Sequence, residues 1–366
     1  MTAEDTSAHA TAHTPNRPAQ SLSGGAAGIA LLHLERAVTS TGSWPQAHAW
    51  LERSARDGLS VADNASLYYG APALAFVLHS CARRPGLAGA LATADAGTQT
   101  VLRRKLDAAH RRIDAGARPL AAEFDLISGL TGLGVCVRRR GRPDLLRQIL
   151  TYLVRLTEPI QGLPGWWTHH SDHGMAHGIT GPLALCALAL HDGVEVDGQT
   201  AAIRRICAWL DTWEQRGASG AWWPATVSAA DVNRGDTHQD GPLRPSWCYG
   251  TPGISFAQTL AARAVGDRAH QRRAERALAN CVSDPAQLAR LTDRSLCHGT
   301  AGLLTVARRI SADALTPMPL TPALGAHQRA TAAPDEPPGF LVGTAGADLA
   351  AAITTQTAWD ACLLLS

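Results

Sequence analysis

The sequence predicts an all-α fold of repeated helical hairpins around one shared core, and three observations predict it. A Gly-X-X-Gly motif or a near copy recurs seven times, each copy opens an apolar Ala/Leu-rich run, and strand signals are weak throughout. The first copy, "GGAAG" at 24–28, leads into "IALLHLERA"; the second, "GAPA" at 70–73, into "LAFVLHSCA"; the third, "GLTG" at 129–132, into "LGVCVRRRG". "GITG" at 178–181 opens "PLALCALAL", "GTPG" at 250–253 opens "ISFAQTLAARA", and "GTAG" at 299–302 and again at 343–346 opens "LLTVARRI" and "ADLAAAI". Such runs read as helices entering a crowded interior. Between them lie segments with one apolar stripe, such as Leu146, Ile149, Leu150 and Leu153, or Ile203, Ile206, Cys207, Leu210 and Trp213. Each unit therefore predicts one inner and one outer helix, at a spacing of mostly 44 to 59 residues.

Glycine at a fixed place in each unit lets helix starts approach one another and permits the tight turn leading in. Seven hairpins that each expose an apolar inner face bury all of those faces by closing into a ring. The alternative is an open solenoid of helical pairs. An open array wants polar caps, whereas "AWDACLLLS" is apolar almost throughout. One interval, 72 residues from Gly178 to Gly250, is longer than the rest and carries "RGASGAWWPATVSAADVNRGDTHQDGPLRPSW". Its Gly, Pro, Asp and Asn content predicts a long ordered loop, and such loops in compact domains usually serve function. Its paired Trp222 and Trp223 either wall the site for peptide side chains or anchor the loop to outer helices. No linker divides the repeats, so 21–366 is expected to form a single domain behind a flexible tail at 1–20.

Of 366 residues, 45% are hydrophobic, ample for a large core, and the formal charge of +2 gives no long-range reason to expect nucleic acid or an anionic membrane as partner. The opening "MTAEDTSAHATAHTPNRPAQ" has neither a basic start nor an apolar run, and no apolar run reaches the about 20 residues a bilayer requires. The expected location is the cytoplasm. Eight cysteines are too sparse for a disulfide scaffold, and a reducing compartment leaves them for burial or metal binding.

Register then selects among them. Cys248 and Cys297 each stand two residues before the first glycine of their units, while His298 and His177 stand one before theirs. Asp125 is four before Gly129, and Arg244 is six before Gly250. Arranged around an axis, these side chains meet at one mouth of the ring. Two thiolates and an imidazole from Cys248, Cys297 and His298 suit zinc with a fourth position left over, or a structural zinc stapling adjacent helices. Cys81, Cys136, Cys186, Cys207, Cys281 and Cys362 read as small core hydrophobes. His177 is either an acid/base group or a fourth ligand. Arg244 brings a fixed charge toward an oxygen that becomes negative, and Asp125 either orients His177 or Arg244 or caps a helix.

The motifs "FDLISGLTG", "AHGITG", "WCYGTPG" and "CHGTAG" resemble those of the lanthionine synthetase C-like family, in that family's order and register, from about Ser21 onward. The resemblance implies an α/α toroid, or double α-barrel, of seven inner and seven outer helices. It implies one zinc per chain on Cys248, Cys297 and His298, with His177, Asp125 and Arg244 as active-site residues, and Tyr249 also matches. "YYGAPALAF" departs from the pattern, with Ala73 in place of the second glycine, which concerns packing more than chemistry.

The expected activity, on that resemblance, is that of a zinc-dependent lanthipeptide cyclase. A substrate cysteine thiolate adds to the β-carbon of dehydroalanine or dehydrobutyrine in a Michael-type addition, giving lanthionine or methyllanthionine. Dehydration falls to a separate enzyme, because the chain has no room for a fused dehydratase. The expected partners are the dehydrated precursor peptide, that dehydratase and an export transporter. Two alternatives stand beside this one: addition of glutathione to dehydroamino acids, and a zinc-stapled scaffold that binds a peptide without catalysis.

Overall fold

The computed structural model describes residues 19–81, 84–352 and 355–366. Along the chain, α1 (Ala26–Val38) is followed by α2 (Trp44–Ala55), and α3 (Ala71–His79) by α4 (Ala88–Asp114). The turn helix α5 (Ala121–Phe124) precedes α6 (Leu130–Arg139) and α7 (Pro143–Leu156); strand β1 (Ser171–Asp172) precedes α8 (Thr180–His191) and α9 (Gln199–Thr212). The long insertion holds β2 (Gln215–Gly217), β3 (Gly220–Trp222), β4 (Thr226–Val227) and α10 (Ala229–Arg234). Then come α11 (Thr251–Ala264), α12 (Arg268–Ser283), the short α13 (Pro285–Leu288), α14 (Thr300–Ser311), α15 (Leu320–Arg329), α16 (Thr344–Ala351) and a 3₁₀ helix, η1 (Trp359–Leu363).

Side-chain pattern sorts these helices into two layers. α8 has no polar face and is buried from Thr180 to Ala189, so it needs neighbours on every side. α12 buries one stripe, including Ala274, Ala277, Leu278 and Cys281, and leaves the rest to water. The helices that follow the glycine motifs are of the first kind. They pack in sequence, α1 on α3, α3 on α6, α6 on α8, α8 on α11, α11 on α14 and α14 on α16, and α16 returns to α1. The ring of contacts is closed, and the open-solenoid alternative falls. Among the described residues α2, α4, α7, α9, α12 and α15 lie outside it, whereas α16 is followed by the buried η1 rather than by an outer helix.

The repeated glycines have a steric cause. A Cβ on Gly253 would sit 2.0 Å from the Trp247 carbonyl oxygen, and one on Gly302 would sit 2.1 Å from that of Leu296. Each loop thus folds back over the first turn of the helix it opens. The equivalent loops are also tied to one another by backbone bonds that run between units: Met175 N–H to Cys248 O (2.8 Å), Cys248 N–H to Cys297 O (3.2 Å), Cys297 N–H to Leu341 O (3.0 Å) and Leu341 N–H to Ser23 O (2.8 Å). The last of these bonds joins the seventh unit to the first.

Of the tail expected at 1–20, residues 1–18 lie outside the described residues; Gln20 is buried, its amide bonded to Gly58 O and Ser60 N. In the insertion β2 pairs with β3, and β4 pairs with β1. Trp222 and Trp223 are buried, and the Trp223 indole donates to Leu210 O of α9 at 3.0 Å. They anchor the loop to the outer layer and do not offer a wall to a peptide.

Candidate active site

The residues singled out by register come together because each ends a loop that enters an inner helix. Ligand atoms of Cys248, Cys297 and His298 all lie within 4.8 Å of one another. Cys248 is buried, and Cys297 and His298 are half-buried. The Cys248 N–H to Cys297 O bond fixes the two loops edge to edge. Cys248 Sγ lies 3.6 Å from Ser246 Oγ, and His298 Nε2 lies 3.4 Å from an Asp293 carboxylate oxygen.

The two sulfurs titrate as a pair. A hydrogen bond from the Cys297 thiol holds Cys248 well below the usual thiol range against the effect of burial, with His298 helping, and the same bond drives Cys297 upward. Elsewhere burial is the main cause that pushes the thiols up, Cys81 to about 11 and Cys136, Cys186, Cys207 and Cys281 to about 12; Cys362 is likewise raised. Five of these six are buried in the core, as the sequence led one to expect, whereas Cys207 is half-buried against it. A buried thiolate beside a second sulfur and an imidazole is costly without a cation, so this donor set fits a soft or borderline divalent ion such as zinc.

Beside the cluster, Asp125 Oδ2 accepts from His177 Nδ1 at 2.7 Å, while its Oδ1 accepts the backbone N–H groups of Ser128 (2.6 Å) and Gly129 (2.8 Å). One oxygen of the carboxylate thus holds His177 and the other the turn that leads into α6, whose N-cap is Gly129 and not Asp125. Burial would lower the His177 pKa, but the Asp125 hydrogen bond and charge, together with Asp172 and Cys248, raise it above its ordinary value. With Nδ1 engaged, Nε2 is the nitrogen available for proton transfer. The His177 ring lies 6.4 Å from that of Tyr249, centroid to centroid. Arg244 is exposed, has no side-chain hydrogen bond among the described residues, and its charge reaches Cys297.

Three further groups escaped the sequence reading. Asp172 accepts the Tyr249 hydroxyl at 2.8 Å and the Gly174 N–H at 2.7 Å, and burial raises its pKa. Asp293 faces His298. Both stand six residues before the first glycine of their units, the register of Arg244, so the same counting would have found them. Lys105, the chain's single lysine, donates from Nζ to Ser128 O at 3.0 Å and braces the Asp125 turn; burial lowers its pKa while Asp125 opposes the shift. It lies on an outer helix, out of register, and no sequence signal marked it. The Asp172 loop is itself held rigid, because Trp209 Nε1 of α9 donates to both Ser171 Oγ and His173 Nε2 at 3.0 Å.

The family model described as lanthionine synthetase C-like protein matches residues 19–364. The nisin biosynthesis protein NisC of Lactococcus lactis subsp. lactis is 22% identical over 204 residues, which cover 50% of this chain and 48% of that protein. The chain thus spans about half the length of the curated relative it matches. A solved structure of nisin cyclase superposes with a TM-score of 0.79 at 20% identity, covering 96% of this chain and 93% of the other, and this likeness shows a shared fold. No helix among the described residues is long and apolar enough to cross a membrane.

Proposed function

Because the chain belongs to the lanthionine synthetase C-like family, we propose that it is a zinc-dependent cyclase that closes thioether rings in a dehydrated precursor peptide. The observation that carries the reading is the Cys248, Cys297 and His298 cluster set beside the Asp125–His177 pair at one mouth of the ring. The finer architecture belongs to the same proposal: one domain over 21–366, arranged as an α/α toroid of seven inner helices, with six outer helices among the described residues and η1 where the seventh was expected.

Cys248, Cys297 and His298 would hold one zinc ion. When bound, zinc supplies a Lewis acid with a position left for a substrate thiol, whose pKa it lowers. The chain's own residues do the rest. As the substrate sulfur bonds to the β-carbon of dehydroalanine or dehydrobutyrine, the C=C π electrons move onto the enamide carbonyl oxygen, and Arg244 supplies positive charge toward that oxygen. His177, oriented by Asp125, delivers a proton from Nε2 to the α-carbon, and its raised pKa keeps more of it protonated near neutrality. The thiol proton lost at the start balances the one gained at carbon. Asp172 keeps the Tyr249 ring beside His177.

Such an enzyme works in the cytoplasm with a separate dehydratase and an export transporter. The test is incubation of the protein and zinc with the dehydrated precursor encoded in its gene neighbourhood, with and without added glutathione, followed by thiol counting and ring mapping. Loss of free thiols with no change in mass, faster than the spontaneous reaction and dependent on Cys248, is the expected result. A product heavier by one glutathione, or binding with neither change, would overturn it in favour of thiol addition or of a scaffold.

A further inference from the structure

Of the segment Thr355–Ser366, Gln356 is exposed, but Thr357 and the whole run Trp359–Leu365 are buried. Cys362 and Leu363 are wholly buried, and two sets of bonds hold the segment, one from residues where the inner helices finish and one from side chains of residues just before they begin. Where those helices finish, buried Glu35 in the last turn of α1 accepts the backbone N–H groups of Gln356 (2.7 Å) and Thr357 (2.9 Å) and the Thr357 hydroxyl. Arg139 of α6 donates to the carbonyls of Thr357 and Ala358, and Arg309 of α14 pairs with buried Asp360. Where the inner helices begin, Tyr68 Oη donates to Cys362 O at 2.9 Å and Trp247 Nε1 donates to Leu363 O at 3.0 Å. Past those contacts the chain turns back, since Ser366 O accepts from Arg138 in the last turn of α6 at 2.7 Å; the segment thus enters from the end where the inner helices finish and folds there, while the Tyr68 and Trp247 side chains reach it from the other. Ala358 and Leu364, which bracket η1, are non-glycine residues at φ of 48° and 58°, a conformation that persists only where surrounding contacts over-determine it.

Trp247 has no exposed surface and immediately precedes Cys248. Its carbonyl oxygen lies under Gly253, its indole on the Leu363 carbonyl. We propose that Thr355–Ser366 is a plug that closes the bore and, through Trp247 as a positioning residue, fixes Cys248 in the cluster from the side opposite the mouth. The cavity is then a blind cup, and a peptide enters and leaves by the mouth alone. The inference rests on the reading of the cluster as a metal site, but its mechanical part does not depend on any metal.

The test compares Trp247→Phe and Glu35→Gln with the full wild-type chain, reading zinc affinity by chelator competition, the thiolate-to-cobalt absorption of the cobalt(II)-substituted protein, and hydrogen exchange of the peptide spanning Ser246–Gly250. Trp247→Phe is expected to weaken zinc binding about tenfold, as loss of a supporting contact to a metal ligand does, and to shift the cobalt band. Glu35→Gln, whose side chain touches no member of the cluster, is expected to shift the same band and to raise exchange at Ser246–Gly250. If Glu35→Gln does not fold, Tyr68→Phe is judged by the same readouts. Unchanged band, affinity and exchange alongside a lowered melting temperature would mean the segment is only filler and would overturn the proposal. If the wild-type chain binds no metal, the reading of the cluster fails, and the exchange comparison still decides the plug.

Discussion

His173 stands apart from the Cys248, Cys297 and His298 cluster, yet it carries much of the loop that presents Asp172 and His177. It has no exposed surface, its Nδ1 lies 3.0 Å from Pro224 O, and its Nε2 accepts the Trp209 indole N–H, so the neutral ring is the form that satisfies both contacts. Burial lowers its pKa to about 4 from 6.5. In the unfolded chain the ring takes up a proton at its ordinary pKa, so the stability it contributes is present above pH 6.5 and is lost as pH falls through about 4. The loss amounts to about 3 kcal/mol at about 1.4 kcal/mol per pKa unit. Urea midpoints measured across that window should fall more steeply for the wild type than for His173→Asn, which keeps a donor for Pro224 O but cannot titrate; parallel slopes would contradict this. At the site itself, Cys248→Ala with Cys297→Ala should abolish zinc binding by metal analysis, and retained zinc would refute the ligand assignment. His177→Asn should keep its zinc and lose about 10²- to 10⁴-fold in cyclisation rate, the usual worth of a principal acid/base group. Zinc loss in that variant would instead make His177 a ligand.

At the scale of the element, the unit is a loop closed over a helix start, and its two glycines are what allow the closure. Gly253→Ala would drive a methyl group into the Trp247 carbonyl oxygen, now 2.0 Å from the ideal Cβ position. Overpacking of this kind costs about 1 to 3 kcal/mol, and here it should also weaken zinc binding, because the displaced carbonyl belongs to the residue before Cys248. Thermal melting and chelator competition would check the two effects, and a fall in stability with zinc affinity intact would separate the loop from the cluster. Sequence periodicity revealed these units clearly, since a glycine pair and a following apolar run depend only on local chain geometry. It also brought Cys248, Cys297, His298, His177 and Asp125 to one mouth by register alone. What stayed hidden depends on partners far along the chain. Lys105 reaches Ser128 from an outer helix, Trp222 and Trp223 bury themselves against that layer, and η1 stands where the last outer helix was expected, its apolar residues buried in the core.

At the scale of the whole molecule, closure turns local contacts into global ones. The seam between the seventh and first units is made by Leu341 N–H on Ser23 O, by Arg36 with Asp348, and by the fully buried Phe340, whose Cβ lies 2.7 Å from where a Cβ on Gly28 would sit and whose ring packs on Trp359 with centroids 5.8 Å apart. In an open array each repeat answers only to its neighbours, and damage at one end stays there. In a closed ring the seam is one of the contacts on which every unit depends. Phe340→Ala removes a buried aromatic side chain and should cost about 3 to 5 kcal/mol. If closure is what stabilises the molecule, that loss will appear across the ring: hydrogen exchange in native buffer should rise in the peptide covering α8, on the far side, by the same factor as in that covering α1, beside the seam. Exchange that rises in α1 and α16 while α8 keeps its wild-type protection would mean that the units are stabilised pairwise, and that the ring is closed in shape but not in energy.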